Sequence, residues 1–132
     1  MLMSLIKQHL HQQQRDQMSA ILNQTKSEFL VDSLMERLNN EWKVNSIESG
    51  HNTYNQVEAE FGRKYIKLMT YLVSGGERQR GRSAYMFVEN ATGACYKPAS
   101  VKAPAKGIRF YIDQLVDDPL ICDQYGGFLY IR

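Results

Sequence analysis

The sequence of 132 residues predicts an α+β domain, with N-terminal helices followed by a small antiparallel β-sheet. Three observations lead there. No Pro or Gly occurs before Gly50, and that stretch is rich in Leu, Met, Gln, Glu and Lys, which favour helix. From Tyr65 onward, β-branched and aromatic residues recur between Gly- and Pro-containing turns. Asn90-Ala91-Thr92-Gly93 then joins two such runs as a type I turn with Gly93 in the left-handed position, the signature of a bulged antiparallel hairpin. The chain divides into an N-terminal helical segment, residues 1–46, and a basic antiparallel sheet domain, residues 54–132.

The helical segment has two halves. In the first, Leu2, Leu5, Ile6 and Leu10 make one apolar stripe and Met18, Ile21 and Leu22 another. Between them lies the wholly polar run His11-Gln12-Gln13-Gln14-Arg15-Asp16-Gln17. So thin a stripe is weakly held by its own domain, and projection outward, pairing with a second copy and fraying all fit it. In the second half, Thr25-Lys26-Ser27-Glu28 fits a capping box. Phe29, Leu30, Leu34, Met35, Leu38 and Trp42 follow at three- and four-residue steps. Asn39-Asn40 and Asn45-Ser46 weaken the end of this helix, and Ile47 to Thr53 links it to the sheet.

Gly62 to Val73 and Ser83 to Glu89 are strands, separated by a mobile loop from Ser74 to Arg82. Ala94 to Lys97 is the return strand, which Pro98 ends, and Ser100 to Lys106 is a loop. Ile108 to Val116 fits a short helix or a strand. Gly126-Gly127 is a turn, and Phe128 to Ile131 is a terminal strand that closes the sheet.

Composition bounds the function classes. Hydrophobic residues make up 43% and charged residues 23%, enough for a core and too balanced for wholesale disorder. The apolar N-terminus turns polar by His9, too early for a signal peptide or a membrane span, so a soluble cytoplasmic protein with no membrane partner is expected. Cys95 and Cys122 match no ligand or redox spacing and are expected reduced and half-buried; no metal or cofactor is expected.

The formal net charge of +2 conceals a strong asymmetry. Gly62 to Arg109 holds ten basic residues against Glu77 and Glu89, a net +8, while residues 1–61 and 110–132 each carry −3. Such a basic centre between acidic ends speaks for a polyanionic partner. Aromatic residues are interleaved with the cations, and single-stranded nucleic acid needs both: cations for phosphates and flat rings for bases. On the strand Ser83 to Glu89, strict alternation puts Tyr85 and Phe87 on one face and Ala84, Met86 and Val88 on the other. Arg78, Arg80 and Arg82 occupy alternate positions in a Gly-flanked loop suited to wrapping a phosphate backbone. Lys97, Lys102, Lys106 and Arg109 punctuate a stiff, small-sided segment holding Pro98 and Pro104.

Catalytic arrangements are thin. Glu58 and Glu60 share a face if their segment is a strand, and Asp113, Asp117, Asp118 and Asp123 cluster near the end. No lysine motif of a nuclease accompanies them, and His9 and His11, two apart, would face differently on a helix and cannot share a metal.

The run Tyr85-Met86-Phe87-Val88-Glu89-Asn90-Ala91-Thr92-Gly93, with Tyr96-Lys97-Pro98-Ala99-Ser100, Lys102-Ala103-Pro104-Ala105-Lys106 and Arg109, resembles a family of small, mostly uncharacterised proteins of tailed phages and environmental viral genomes. The resemblance spans about residues 61–132, with Tyr125-Gly126 and Leu129-Tyr130-Ile131-Arg132 echoing the family's ending. Val101 stands where that family carries Trp, and Phe110-Tyr111 where it carries Gly-Asn. The resemblance implies a phage origin, hence the host cytoplasm, and no assigned activity.

These readings combine into one expectation: a non-enzymatic protein that binds single-stranded nucleic acid. Arg78, Arg80, Arg82, Lys97, Lys102, Lys106 and Arg109 would meet phosphates, and Tyr85, Phe87 and Tyr96 would stack on bases. The alternative is a protein-interaction module, either a host-factor inhibitor that meets an acidic host protein or a minor virion component. In it Leu34, Leu38 and Trp42 form the docking surface; in the nucleic-acid reading the N-terminal helices serve a homodimer or partner docking. A metal-dependent nuclease is the third reading.

Overall fold

A computed structural model describes residues 24–130. The first half of the helical segment, with its two apolar stripes and Gln run, lies outside the described residues, as does the end of the expected terminal strand. Helix α1 spans Lys26–Glu48. Five strands then run side by side in the order β1-β2-β4-β5-β6: β1 Thr53–Phe61, β2 Tyr65–Ser74, β4 Ser83–Glu89, β5 Ala94–Tyr96 and β6 Phe110–Tyr111. The short β3, Glu77–Arg78, pairs with the end of β2, and every pairing is antiparallel. Helix α2, Ile112–Asp117, and two 3-10 turns, Pro119–Ile121 and Gly127–Tyr130, complete the described chain. The α+β class is therefore as expected, with one N-terminal helix among the described residues.

Helix α1 starts where Thr25 Oγ1 accepts from the Glu28 backbone N–H at 3.0 Å. Glu28 does not complete the box: its carboxylate accepts from Asn90 Nδ2 at 3.2 Å. The hydroxyl of Thr25 donates to Asn90 Oδ1 and that of Ser27 to the Asn90 carbonyl, at 2.6 and 2.8 Å. The helix N-terminus is thus fastened to the β4–β5 turn. That turn closes with Gly93 at φ 76°, where a Cβ would stand 2.9 Å from the Ile112 side chain, so backbone and packing both demand glycine.

The buried stripe of α1 is Ser27, Val31, Leu34, Leu38, Trp42 and Ser46. Phe29, expected in the stripe, is exposed, because Val31 takes the inward position one turn before Leu34 and Met35. Leu34, Leu38 and Trp42 pack into one cluster with Val57, Ile66, Leu68, Met86, Val88 and Cys95 of the sheet. They form the core between helix and sheet, so they offer no docking surface and no dimer seam.

Strand β1 is an edge, and side chains meet part of its outward backbone. Asn39 Nδ2 donates to the Val57 carbonyl at 3.0 Å and its Oδ1 accepts from the Val57 N–H at 2.8 Å. One pleat away Gln124 Oε1 accepts from the Asn55 N–H at 2.8 Å, and the Gln124 carbonyl accepts from the Asn55 side-chain Nδ2 at 3.0 Å. Asn39, which looks like a helix weakener in sequence, is the clasp between α1 and β1.

Two further expectations change. Ile108 to Val116 is both alternatives in turn, β6 then α2. The expected terminal strand is instead a 3-10 turn at Phe128 to Tyr130. The cause is Asp123, whose carboxylate accepts from the backbone N–H groups of Tyr125, Gly127 and Phe128 at 2.8, 3.0 and 3.0 Å. With those donors captured, the segment curls and buries Phe128 and Leu129 against the helix-side core.

Candidate nucleic-acid interface

A β-bulge decides which aromatics reach the surface. Leu68 pairs with Met86, but Met69 pairs with Ala84, so Tyr85 is an extra residue on β4. The bulge breaks strict alternation and turns Tyr85 to the helix side, together with Met86. Its ring meets Trp42 at 5.7 Å and Phe128 at 5.9 Å, and Phe128 meets Phe110 at 5.7 Å. Its hydroxyl donates to the Asp123 carbonyl at 2.6 Å. Tyr85 is 3% exposed and cannot stack on a base.

Phe87 stays on the opposite, helix-free face, where it is 2% exposed. Tyr65 stands edge-on to both Phe87 and Tyr96, at 6.0 and 6.2 Å. Lys67 Nζ lies 5.8 Å from the Phe87 ring, Lys64 Nζ 5.4 Å from Tyr65, and the Arg78 guanidinium 4.1 Å from Tyr71. Lys102 shares a shallow cleft with Lys67, Tyr65 and Phe87. Arg109, just before β6, donates its backbone N–H to the Cys95 carbonyl at 2.8 Å, and its Nε is buried without a hydrogen-bond partner. Met69 and Val73 are buried on this side too, outside the helix-side cluster. The helix-free face is thus an apolar floor bearing half-buried tyrosines, with cations laid over the rings.

Glu58 and Glu60 do share this face, and they hold cations. Arg78 bonds Glu58, and it donates to Gln56 Oε1 at 2.8 Å. Arg82 bonds Glu60, which also stands 3.9 Å from Lys67 Nζ. The hydrogen bond to Glu58 raises the Arg78 guanidinium above its ordinary value. Arg80, between them, is exposed and makes no ion pair among the described residues.

Seven expected phosphate contacts therefore separate. Arg78, Arg82 and Lys102 border the helix-free face, Arg80 and Lys106 are exposed in loops, Arg109 is half-buried before β6, and Lys97 turns away with its Nζ 4.7 Å from the Tyr130 ring. Of three expected stacking rings, only Tyr96 remains half-exposed. Tyr65, Lys67 and Tyr71, part of the basic aromatic stretch but not among the expected contacts, join them here, and their period-two spacing on β2 marks them as sharing one side.

The other chemistry-bearing groups have structural partners. Asp123 organises the C-terminal turn, and among the described residues no three His, Cys, Asp or Glu side chains gather to hold a metal ion. Cys95 and Cys122 are buried and unbridged. Burial pushes the Cys122 thiol up to about 12 and raises Cys95 and the Tyr85 hydroxyl as well. The thiols are thus kept from the nucleophilic thiolate form. All three groups keep their protons in the folded state and release them sooner when unfolded, so stability is full below the unfolded thiol value, near 8.5, and falls as pH rises beyond it. The urea midpoint should drop between pH 8 and pH 10, and Cys122→Ala should make that drop shallower; equal slopes would contradict the burial of its thiol.

No helix among the described residues is long and apolar enough to cross a membrane. No curated protein and no solved structure matches the chain. A family match does, over residues 5–131, so it takes in α1 and part of the segment before it as well as the sheet. The chain therefore belongs to the family of unknown function DUF7717.

Proposed function

We propose that this chain is a non-enzymatic protein that binds single-stranded nucleic acid through the helix-free face of its sheet and the arginine loop. One observation carries the reading: on that face Lys64, Lys67 and Arg78 lie over tyrosine and phenylalanine rings, with Lys102 beside them. Cations of this kind meet phosphates and release counterions, while Tyr65, Tyr71 and Tyr96 offer partly open ring surface to bases. Glu58 and Glu60 do not close the face, because exposed ion pairs are worth about 0–1 kcal/mol and a phosphate can replace either carboxylate. The phage origin rests on the resemblance of residues 61–132 alone.

Fluorescence anisotropy with a labelled single-stranded DNA, at low and moderate salt, tests the reading. The expected result is binding that weakens steeply with salt, by a slope of about 0.7 per phosphate contact, and that duplex competes away poorly. Binding indifferent to salt, or none at low salt, would overturn it and leave the positive charge for an acidic protein partner.

A further inference from the structure

The acid-free part of the basic surface lies elsewhere, at the open end of the sheet. Beyond the reach of α1, a groove of about 680 Å³ runs between the Arg80-Gly81-Arg82 stretch on one wall and Gln124-Tyr125 on the other. Thr70 and Leu72 line it between these walls. It adjoins a second groove of about 390 Å³ that shares Asn55, Leu72, Gln124 and Tyr125 and continues toward His51 at the end of the helix. Neither groove is lined by an Asp or a Glu. This contrasts with the helix-free face, where Glu58 and Glu60 hold the cations.

The lining suits a nucleotide. Tyr125, 86% exposed, and Leu72, 46% exposed, both line the groove. Both are costly to leave in water and cheap to cover with a flat base. Gln124 is fixed in place because its Oε1 already accepts from the Asn55 backbone, which aims its amide N–H₂ without occupying it. On the facing wall Arg80 carries no carboxylate partner among the described residues, so its full charge is open to a phosphate. Arg82 lines the groove and also reaches Glu60, which connects the groove to the helix-free face.

We propose that this groove is a base-binding subsite for a single-stranded nucleic acid, with one unstacked base on Tyr125 and Leu72 and its phosphate on Arg80. The inference rests on the nucleic-acid reading above and adds the place where a base is held.

The test compares the full chain with Tyr125→Ala and Tyr125→Phe, using a short oligothymidylate and an abasic oligonucleotide of equal length. Because Tyr125 is so exposed, neither change should disturb folding, which circular dichroism checks. Tyr125→Ala should weaken oligothymidylate binding roughly 5- to 100-fold, Tyr125→Phe should retain it, and the abasic strand should bind both variants as it binds the native chain. If the native chain binds oligothymidylate and Tyr125→Ala binds it equally well, the subsite is wrong and the sheet-face reading stands. If the native chain binds neither strand at low salt, both are wrong. An equal loss on the abasic strand would also overturn the subsite, since a stacking ring has nothing to grip there.

Discussion

Trp42→Ala should destabilise the protein by about 3–5 kcal/mol, the range for truncating a large buried aromatic. Trp42 is 5% exposed, and its ring anchors the chain of contacts through Tyr85 and Phe128 to Phe110. Removing it opens a void where helix, bulge and C-terminal turn meet. Urea unfolding followed by circular dichroism measures the loss. At a denaturant-free temperature where the variant is still folded, its affinity for single-stranded DNA should match that of the native chain. A variant of unchanged stability that loses a protein partner would instead mean that Trp42 faces outward, as a docking helix requires.

Binding should move in opposite directions when the loop arginines and the carboxylates that pair with two of them are changed. Arg78→Ala, Arg80→Ala and Arg82→Ala together remove three cations, so the salt slope should shrink by about 2 and affinity at low salt should fall by at least tenfold. Glu58→Gln with Glu60→Gln frees Arg78 and Arg82 from their carboxylates and should tighten binding roughly 2- to 10-fold, given the small worth of exposed pairs. All five side chains are well exposed, so thermal stability should change little. A gain from the glutamine changes matters most, because damage to the fold cannot produce it. Should neither set alter affinity, the nucleic acid does not meet this face.

The helix-side half of the fold was legible because its signals are local and periodic. Leu34, Leu38 and Trp42 recur at helical spacing, and Thr25 caps where a capping residue should. What alternation could not show was the extra residue at Tyr85. A bulge has no mark of its own in the residues Ser83 to Glu89, yet it moves Tyr85 from the expected surface to the core and leaves Phe87 alone on the other side. The C-terminal turn escaped for a related reason: Phe128-Leu129-Tyr130 has strand character, and only the position of the Asp123 carboxylate explains why it curls. The site was legible as a charge pattern and not as a set of residues. Counting cations located the basic region, whereas Lys97 turning to Tyr130 and the pairing of Arg78 and Arg82 with β1 depend on long-range register.

The side-chain clasp on β1 bears on how the protein behaves when crowded. An uncovered edge strand is a template on which another chain can polymerise. Here Asn39 occupies both outward groups of Val57 and Gln124 the N–H of Asn55, so a second molecule pairing along the middle of β1 must first displace them. The opposite border, β6, is only two residues long and runs straight into a helix, too short to seed growth. Self-association through the middle of β1 therefore has to wait for α1 to lift from it. Fibril nucleation should accordingly follow the rate of that local opening, with a lag that destabilising the helix shortens and that raising the protein concentration alone shortens far less.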